Sequence, residues 1–204
     1  MSAKVDSQIT LPTPFGTCQA LSFTGLKNNE EPLVLAFGDW KKKEAPKVRI
    51  HSECLTGDVF GSLRCDCGPQ LQETMKNFSK TSGIIVYLRQ EGRGIGLINK
   101  LRAYALQDGG LDTYEANTVL GFDKDQRKFD LAADMLKAIG IHNIRLVSNN
   151  PEKSTQLEQN GIRIIDRLST GTFLCPDNRR YLEAKFNIGN HDGLKILERQ
   201  GGQK

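Results

Sequence analysis

Short apolar runs bounded by turn residues recur along the chain at Leu33–Phe37, Val48–Ile50, Ile84–Leu88, Ile144–Val147 and Ile162–Ile165, and each reads as a strand. Between them the period lengthens to that of a helix. Gln70–Phe78 is a short helical stretch; Ile95, Ile98, Leu101 and Ala105 repeat at helical spacing up to the stop Asp108-Gly109-Gly110. Phe129, Ala132, Leu136 and Ile139 form a second stripe closed by Gly140. Asn150 followed by Pro151 has the form of an N-cap with proline at the first helical position, and it opens a helix that ends at Asn160-Gly161. The first fifty residues read as short strands joined by turns. The alternation that follows predicts an α/β fold with α+β character in the N-terminal part: a mixed sheet with flanking helices. Beyond Arg167 the sequence STGTFLCPDNRR is turn-rich, and one domain over residues 1–190, its motif-bearing core at 46–165, leaves 191–204 as a frayed tail.

Composition narrows the classes. The chain has 204 residues, 38% of them hydrophobic and 25% charged, which is the balance of a globule with a sizeable core. The N-terminus MSAKVDSQITLPTPF lacks the apolar segment of a secretory signal, and no run reaches the roughly 18 apolar residues of a membrane span. A formal charge of +4 is too mild to argue for nucleic acid, though it suits an anionic small molecule. The expectation is a cytoplasmic protein without nucleic-acid or membrane partners, in a compartment where clustered cysteines hold metal rather than disulfides.

Three of the five cysteines fall within HSECLTGDVFGSLRCDCG, as Cys54, Cys65 and Cys67. Three thiolates suit a zinc site that leaves one position open for a reacting water, and His51 is a possible fourth ligand. Burial of unligated cysteines is the other reading, but Arg64 and Asp66 interleave the pair in a way that suits an apolar core poorly. Cys18 and Cys175 stand alone and read as structural. RQEGRGIG at Arg89–Gly96 joins a strand to a helix, where backbone N–H groups and arginines could cradle phosphate; a tight turn with solvated arginines is the alternative. SNNPEK at Ser148–Lys153 is either another anion-binding junction or simply a capped helix. GFDKDQRKFD crowds Asp123, Asp125 and Arg127, as a solvated loop or as an acid–base constellation. Tyr104 shares a helical face with Leu97 and Leu101, the pattern of a core residue.

HSECLTGD with SLRCDCG, then RQEGRGIGL, a D-x-x-E-A-N segment and S-N-N-P-x-K, taken together and in this order, resemble GTP cyclohydrolase II. The resemblance implies hydrolysis of GTP at the first committed step of riboflavin synthesis. It implies a catalytic zinc on Cys54, Cys65 and Cys67, and a Mg²⁺ travelling with the triphosphate. Arg49, Ile50, His51, Ser52, Glu53, Gln70, Glu91, Gly92, Arg93, Thr113, Ser148 and Lys153 become substrate-binding positions, which moves His51 from ligand to pocket. Asp125 becomes the general base and Arg127 the nucleophile at the α-phosphate, although electrostatic stabilisation is the physically easier task for a guanidinium. Tyr104 would orient attack at C8. Formate and pyrophosphate leave, giving 2,5-diamino-6-ribosylamino-4(3H)-pyrimidinone 5′-phosphate. The resemblance further implies a homodimer in a stand-alone form. It thins after Arg167, where Ala184 stands in place of a common threonine.

Overall fold

The computed structural model describes residues 3–26, 31–123 and 125–187, so the expected tail at 191–204 lies outside the described residues. Chain contacts divide the protein into two compact units. The first comprises Met1–Ser52, Leu71–Arg89 and Lys128–Thr170, and it contains the whole sheet.

The strands are β1 (Lys4–Leu11), β2 (Cys18–Thr24), β3 (Leu33–Phe37), β4 (Lys47–Ser52), β5 (Gly83–Leu88), β6 (Asn143–Val147) and β7 (Arg163–Leu168). Their order across the sheet is β1-β2-β3-β5-β4-β6-β7. The first four are joined antiparallel and the rest parallel, so the mixed sheet expected from the sequence is present. The alternation of side chains on β3 and β5 explains why both faces are covered. Val34, Ala36, Ile84 and Val86 point into a core shared with Phe129, Ala132, Met135 and Leu136, while Leu35, Phe37 and Ile85 meet Phe78, Leu71 and Met75 on the other side. Cys18 is buried in this second cluster, in keeping with a structural role.

Two helices of this unit follow their sequence signals closely. α5 (Asp130–Ala138) stops where Gly140 takes φ +76°, and α6 (Pro151–Gln159) starts on Asn150, whose side-chain oxygen accepts the Glu152 N–H at 2.9 Å. α2 runs over Cys67–Thr81, three residues earlier than expected at its start and three later at its end. Pro69 does not prevent the early start, because a first-turn residue has no intrahelical partner for its N–H.

The second unit comprises Glu53–Gln70, Gln90–Arg127 and Gly171–Lys204, described as far as residue 187. It holds α1 (Leu55–Asp58), a 3-10 turn over Glu91–Gly94, α3 (Gly96–Asp108), α4 (Thr113–Val119), a 3-10 turn over Pro176–Asn178 and α7 (Arg179–Asn187). The turn-rich stretch beyond Arg167 ends in α7, a helix with no signal in the sequence pattern, preceded by a turn in which Asn178 accepts the Cys175 N–H at 2.9 Å. α4 was not legible as a stripe, yet it has a reciprocal cap. Asp112 accepts the Glu115 N–H and Glu115 accepts the Asp112 N–H, both at 2.9 Å.

α3 lies where expected, but with its faces exchanged. Ile98 and Leu101 are 68% and 50% exposed, whereas Lys100 is only 8% exposed and Ala103 is buried beside it. The apolar spacing therefore located the helix and misassigned its buried side, because a charged residue occupies that side. No described helix is long and apolar enough to cross a membrane.

Candidate active site

The cysteines are brought together where the α1 turn meets the start of α2. Cys54 precedes the single turn α1, and the Asp58 carboxylate folds back to accept the Cys54 N–H at 3.0 Å. Cys65 and Cys67 flank Asp66 at the start of α2, where the positive end of the helix favours thiolate. Asp66 is fully buried, and its carboxylate receives Gln70 Nε2 at 2.7 Å and Lys185 Nζ at 3.2 Å. The three Sγ atoms lie within 4.8 Å of one another, with Cys54 and Cys65 3.6 Å apart. Tetrahedral zinc with bonds of about 2.3 Å requires sulfurs about 3.8 Å apart, so the donor set fits that ion after small shifts. Hydrogen bonds from Cys65 and Cys67 draw the Cys54 thiol well below the usual thiol range. The same interaction with Cys54 pushes Cys65 up to about 12 and Cys67 up as well. Three thiols this close are thus electrostatically coupled, one drawn down and two pushed up. His51 is not in this group: it is buried on β4 with its ring stacked on Tyr87 at 5.4 Å.

A lysine that the sequence reading passed over completes the surroundings. Lys100 Nζ reaches Cys54 Sγ at 3.1 Å, Thr56 Oγ1 at 2.9 Å and Glu91 Oε1 at 2.8 Å. Burial works against its charge, but the Cys54 sulfur and the Glu91 carboxylate outweigh burial and hold its pKa above the ordinary lysine range. Tyr104 is half-buried in the same neighbourhood, hydrogen-bonded with Thr56, with the Arg64 guanidinium 4.9 Å above its ring. Burial raises the Tyr104 hydroxyl to about 12, so it keeps its proton at neutral pH. Tyr104 therefore does not pack into a core beside Leu101, the alternative that its helical spacing had left open.

The glycine-rich turn and the Asp125 loop are held together within this unit. Gly92 and Arg93 both adopt left-handed φ, +63° and +61°, followed by Gly94 at +95°. Arg93 bears a strain of about 1 kcal/mol that glycine would avoid. The Arg93 carbonyl accepts the Gln126 N–H at 3.0 Å, and a Cβ on Gly94 would stand 3.1 Å from the Gln126 side chain. Asp125 grips Arg127 with both oxygens, through Nε at 2.9 Å and the terminal nitrogen at 2.5 Å, and also accepts the Arg127 N–H. Burial raises the Asp125 carboxyl, but the bonds from Arg127 and the charge of Arg93 outweigh it and leave the carboxyl below its ordinary range. Glu91 is committed inward, accepting Leu55 N–H at 2.6 Å and Gly92 N–H at 2.7 Å as well as Lys100. Gln70 is likewise engaged, with Asp66 and the Gly171 carbonyl. Thr113 opens α4 and Glu53 opens this unit.

In the first unit, Arg49, Ile50, His51 and Ser52 form the C-terminal part of β4, paired with β5, while the start of the same strand pairs with β6. Ser148 follows directly after β6, and its hydroxyl accepts the Asn150 N–H at 3.0 Å. Lys153, in the first turn of α6, donates to the Ile50 carbonyl at 2.7 Å. Three groups of candidate residues thus meet at the carboxyl ends of adjacent parallel strands, where ligands of α/β sheets bind.

The sequence profile described as GTP cyclohydrolase II matches residues 3–169. The chain belongs to the GTP cyclohydrolase II family. It is 53% identical to GTP cyclohydrolase-2 of Vibrio vulnificus and 51% identical to that of Vibrio parahaemolyticus, each over 179 residues, 87% of this chain and 90% of the relative. It is 48% identical over 185 residues to the riboflavin biosynthesis protein RibBA of Bacillus cytotoxicus, covering 90% of this chain and 47% of that longer relative.

Within this GTP cyclohydrolase II chain, the cysteine motif depends on two glycines that spacing alone did not single out. A Cβ on Gly57 would lie 2.9 Å from Cys65 Sγ and 3.1 Å from Cys54 Sγ. One on Gly68 would lie 2.2 Å from the Gly57 carbonyl oxygen, closer than any contact tolerates. Gly57→Ala is expected to spread the sulfurs and weaken zinc retention by about tenfold or more, a loss comparable to that of a supporting residue. Zinc content per chain after challenge with a chelator measures it, with circular dichroism as the control for folding.

Proposed function

We propose that the chain is a zinc-dependent GTP cyclohydrolase II that opens the imidazole ring of GTP at C8. It releases formate and pyrophosphate and yields 2,5-diamino-6-ribosylamino-4(3H)-pyrimidinone 5′-phosphate. The observation that carries this reading is the convergence of three cysteine sulfurs, in a unit that also contains the Asp125–Arg127 pair and Tyr104. Zinc held by Cys54, Cys65 and Cys67 would supply Lewis-acid activation of water for attack at C8. Tyr104, protonated at neutral pH, serves as a hydrogen-bond donor that orients the reacting group and not as a base.

For the phosphates, Asp125 is ionised and already bonded to Arg127, so it can accept a proton from that side or simply aim the guanidinium. Because a guanidinium holds its proton tightly, we assign Arg127 to charge stabilisation at the α-phosphate and Asp125 to orienting it. Arg49, Ile50, His51, Ser52, Glu53, Gln70, Gly92, Arg93, Thr113, Ser148 and Lys153 bind the nucleotide in this reading, with Mg²⁺ carried by the triphosphate. Glu91 contributes by shaping the turn that presents Gly92 and Arg93. A cytoplasmic homodimer is part of the proposal. The second unit leaves Phe60, Leu63, Ile98, Leu101 and Val119 exposed, apolar side chains that a dimer contact could cover.

The test is incubation of zinc-loaded protein with GTP and Mg²⁺, following the nucleotide by mass spectrometry and assaying formate and pyrophosphate in parallel. Equal yields of both with the diaminopyrimidine are expected. Pyrophosphate without formate would overturn the ring-opening assignment, and neither product would overturn the enzymatic one.

A further inference from the structure

A lysine that is 8% exposed must have its charge and its N–H groups compensated. Lys100 has three N–H donors and three acceptors within 3.1 Å: a carboxylate, a hydroxyl and a sulfur. Each acceptor is itself fixed. Glu91 is held by the backbone N–H groups of Leu55 and Gly92, and Thr56 lies in the α1 turn that follows Cys54. The ammonium therefore has one place to sit, and that place is against the sulfur of one cysteine. Three thiolates on a divalent cation would leave one net negative charge, and the ammonium lies between that charge and the Glu91 carboxylate, attracted by both.

We propose that Lys100 is a positioning residue for the metal clasp. Its ammonium, anchored by Glu91 and Thr56, holds the Cys54 sulfur in place and draws electron density from it, linking the clasp to the glycine turn that Glu91 heads. This rests on the reading of Cys54, Cys65 and Cys67 as a zinc site, and it adds a residue that the cysteine spacing does not reveal. Removing Lys100 should free the Cys54 sulfur from its anchored position and so loosen the ion. It should at the same time make that sulfur a stronger electron donor, an opposing effect that the loss of anchoring outweighs. A lysine that merely filled space would do neither once its volume was replaced.

The experiment uses the full chain, wild type and the variants Lys100→Met, Lys100→Gln and Cys54→Ser, loaded with Zn²⁺ or Co²⁺. Release of Zn²⁺ to a chromophoric chelator is timed, and the sulfur-to-cobalt charge-transfer band is recorded. Lys100→Met is expected to release zinc about 10–100-fold faster than wild type, the range for loss of a supporting residue. Its cobalt band should move to longer wavelength, and Lys100→Gln, which keeps an N–H donor without the charge, should fall between. Unchanged release and an unmoved band in both lysine variants would overturn the proposal. Loss of folded circular dichroism in both metal-free variants would also overturn it, in favour of a purely structural lysine. Failure of the underlying zinc reading looks different: wild type would then bind no zinc, or Cys54→Ser would hold it equally well.

Discussion

Cys54→Ser is expected to abolish formate release, by at least about a thousandfold, while pyrophosphate release stays within about threefold of wild type. Serine is a poor zinc ligand at neutral pH, and the site has no spare sulfur: Cys175 donates to the Leu63 carbonyl at 3.5 Å and is not among the grouped ligands. Cys54 also receives Lys100, so the substitution removes the one sulfur that the surrounding charges are arranged to hold. Asp125 and Arg127 bond to each other, and Asp125 is not among the grouped metal-ligand candidates. Phosphate chemistry that relies on this pair should therefore survive loss of the metal. Formate and pyrophosphate measured on the same time course decide it; simultaneous loss of both would show that the two reactions share one machinery.

The second large effect is the mirror image. Arg127→Ala is expected to lower pyrophosphate release by about 10²–10³-fold, the range for removing one transition-state charge donor, while zinc content per chain stays at the wild-type level. Arg127→Lys should recover little, because Asp125 holds the guanidinium through two parallel bonds that an ammonium cannot make. The pH dependence follows from the direction of the Asp125 shift. Its carboxyl lies below the ordinary range in the folded protein, so the stabilising pair is present above the unfolded carboxylate pKa and is lost as pH falls through the depressed one. An acid limb of activity at or above the ordinary carboxylate range would therefore belong to another group. Rate against pH for wild type and Asp125→Asn separates the two cases.

The sheet was largely legible because its strands are buried on both faces, which leaves uninterrupted apolar runs such as Ile84–Leu88 between turn residues. α6 was legible because Asn150-Pro151 carries its own start signal. The second unit was harder to read. Its short helices are organised around polar groups, so the side that is buried carries Lys100 in α3 and Asp66 at the start of α2. Apolar spacing then points away from the buried side, as the exposed Ile98 and Leu101 show. Of the candidate site, the cysteines and the Asp125–Arg127 pair were visible from spacing and resemblance. Lys100 was not, since a lysine in a helix ordinarily faces solvent; the signal that could have found it is Glu91 and Lys100 bracketing a glycine-rich turn. α4 had its signal in Asp112 and Glu115, a capping pair read only as part of a motif.

The close approach of Gly57 and Gly68 changes what counts as the motif of the proposed metal site. The sulfurs can converge only where two stretches of backbone touch without side chains between them, so the ligand pattern is incomplete when written in cysteines alone. Written in full it is C-x2-G-x7-C-x-C-G, and the two glycines carry as much information as the thiols. A designer grafting this clasp onto another scaffold would have to transplant the glycines with it. A chain that keeps the three cysteines but replaces either glycine would be predicted to hold the metal less tightly, Gly68 replacements most of all.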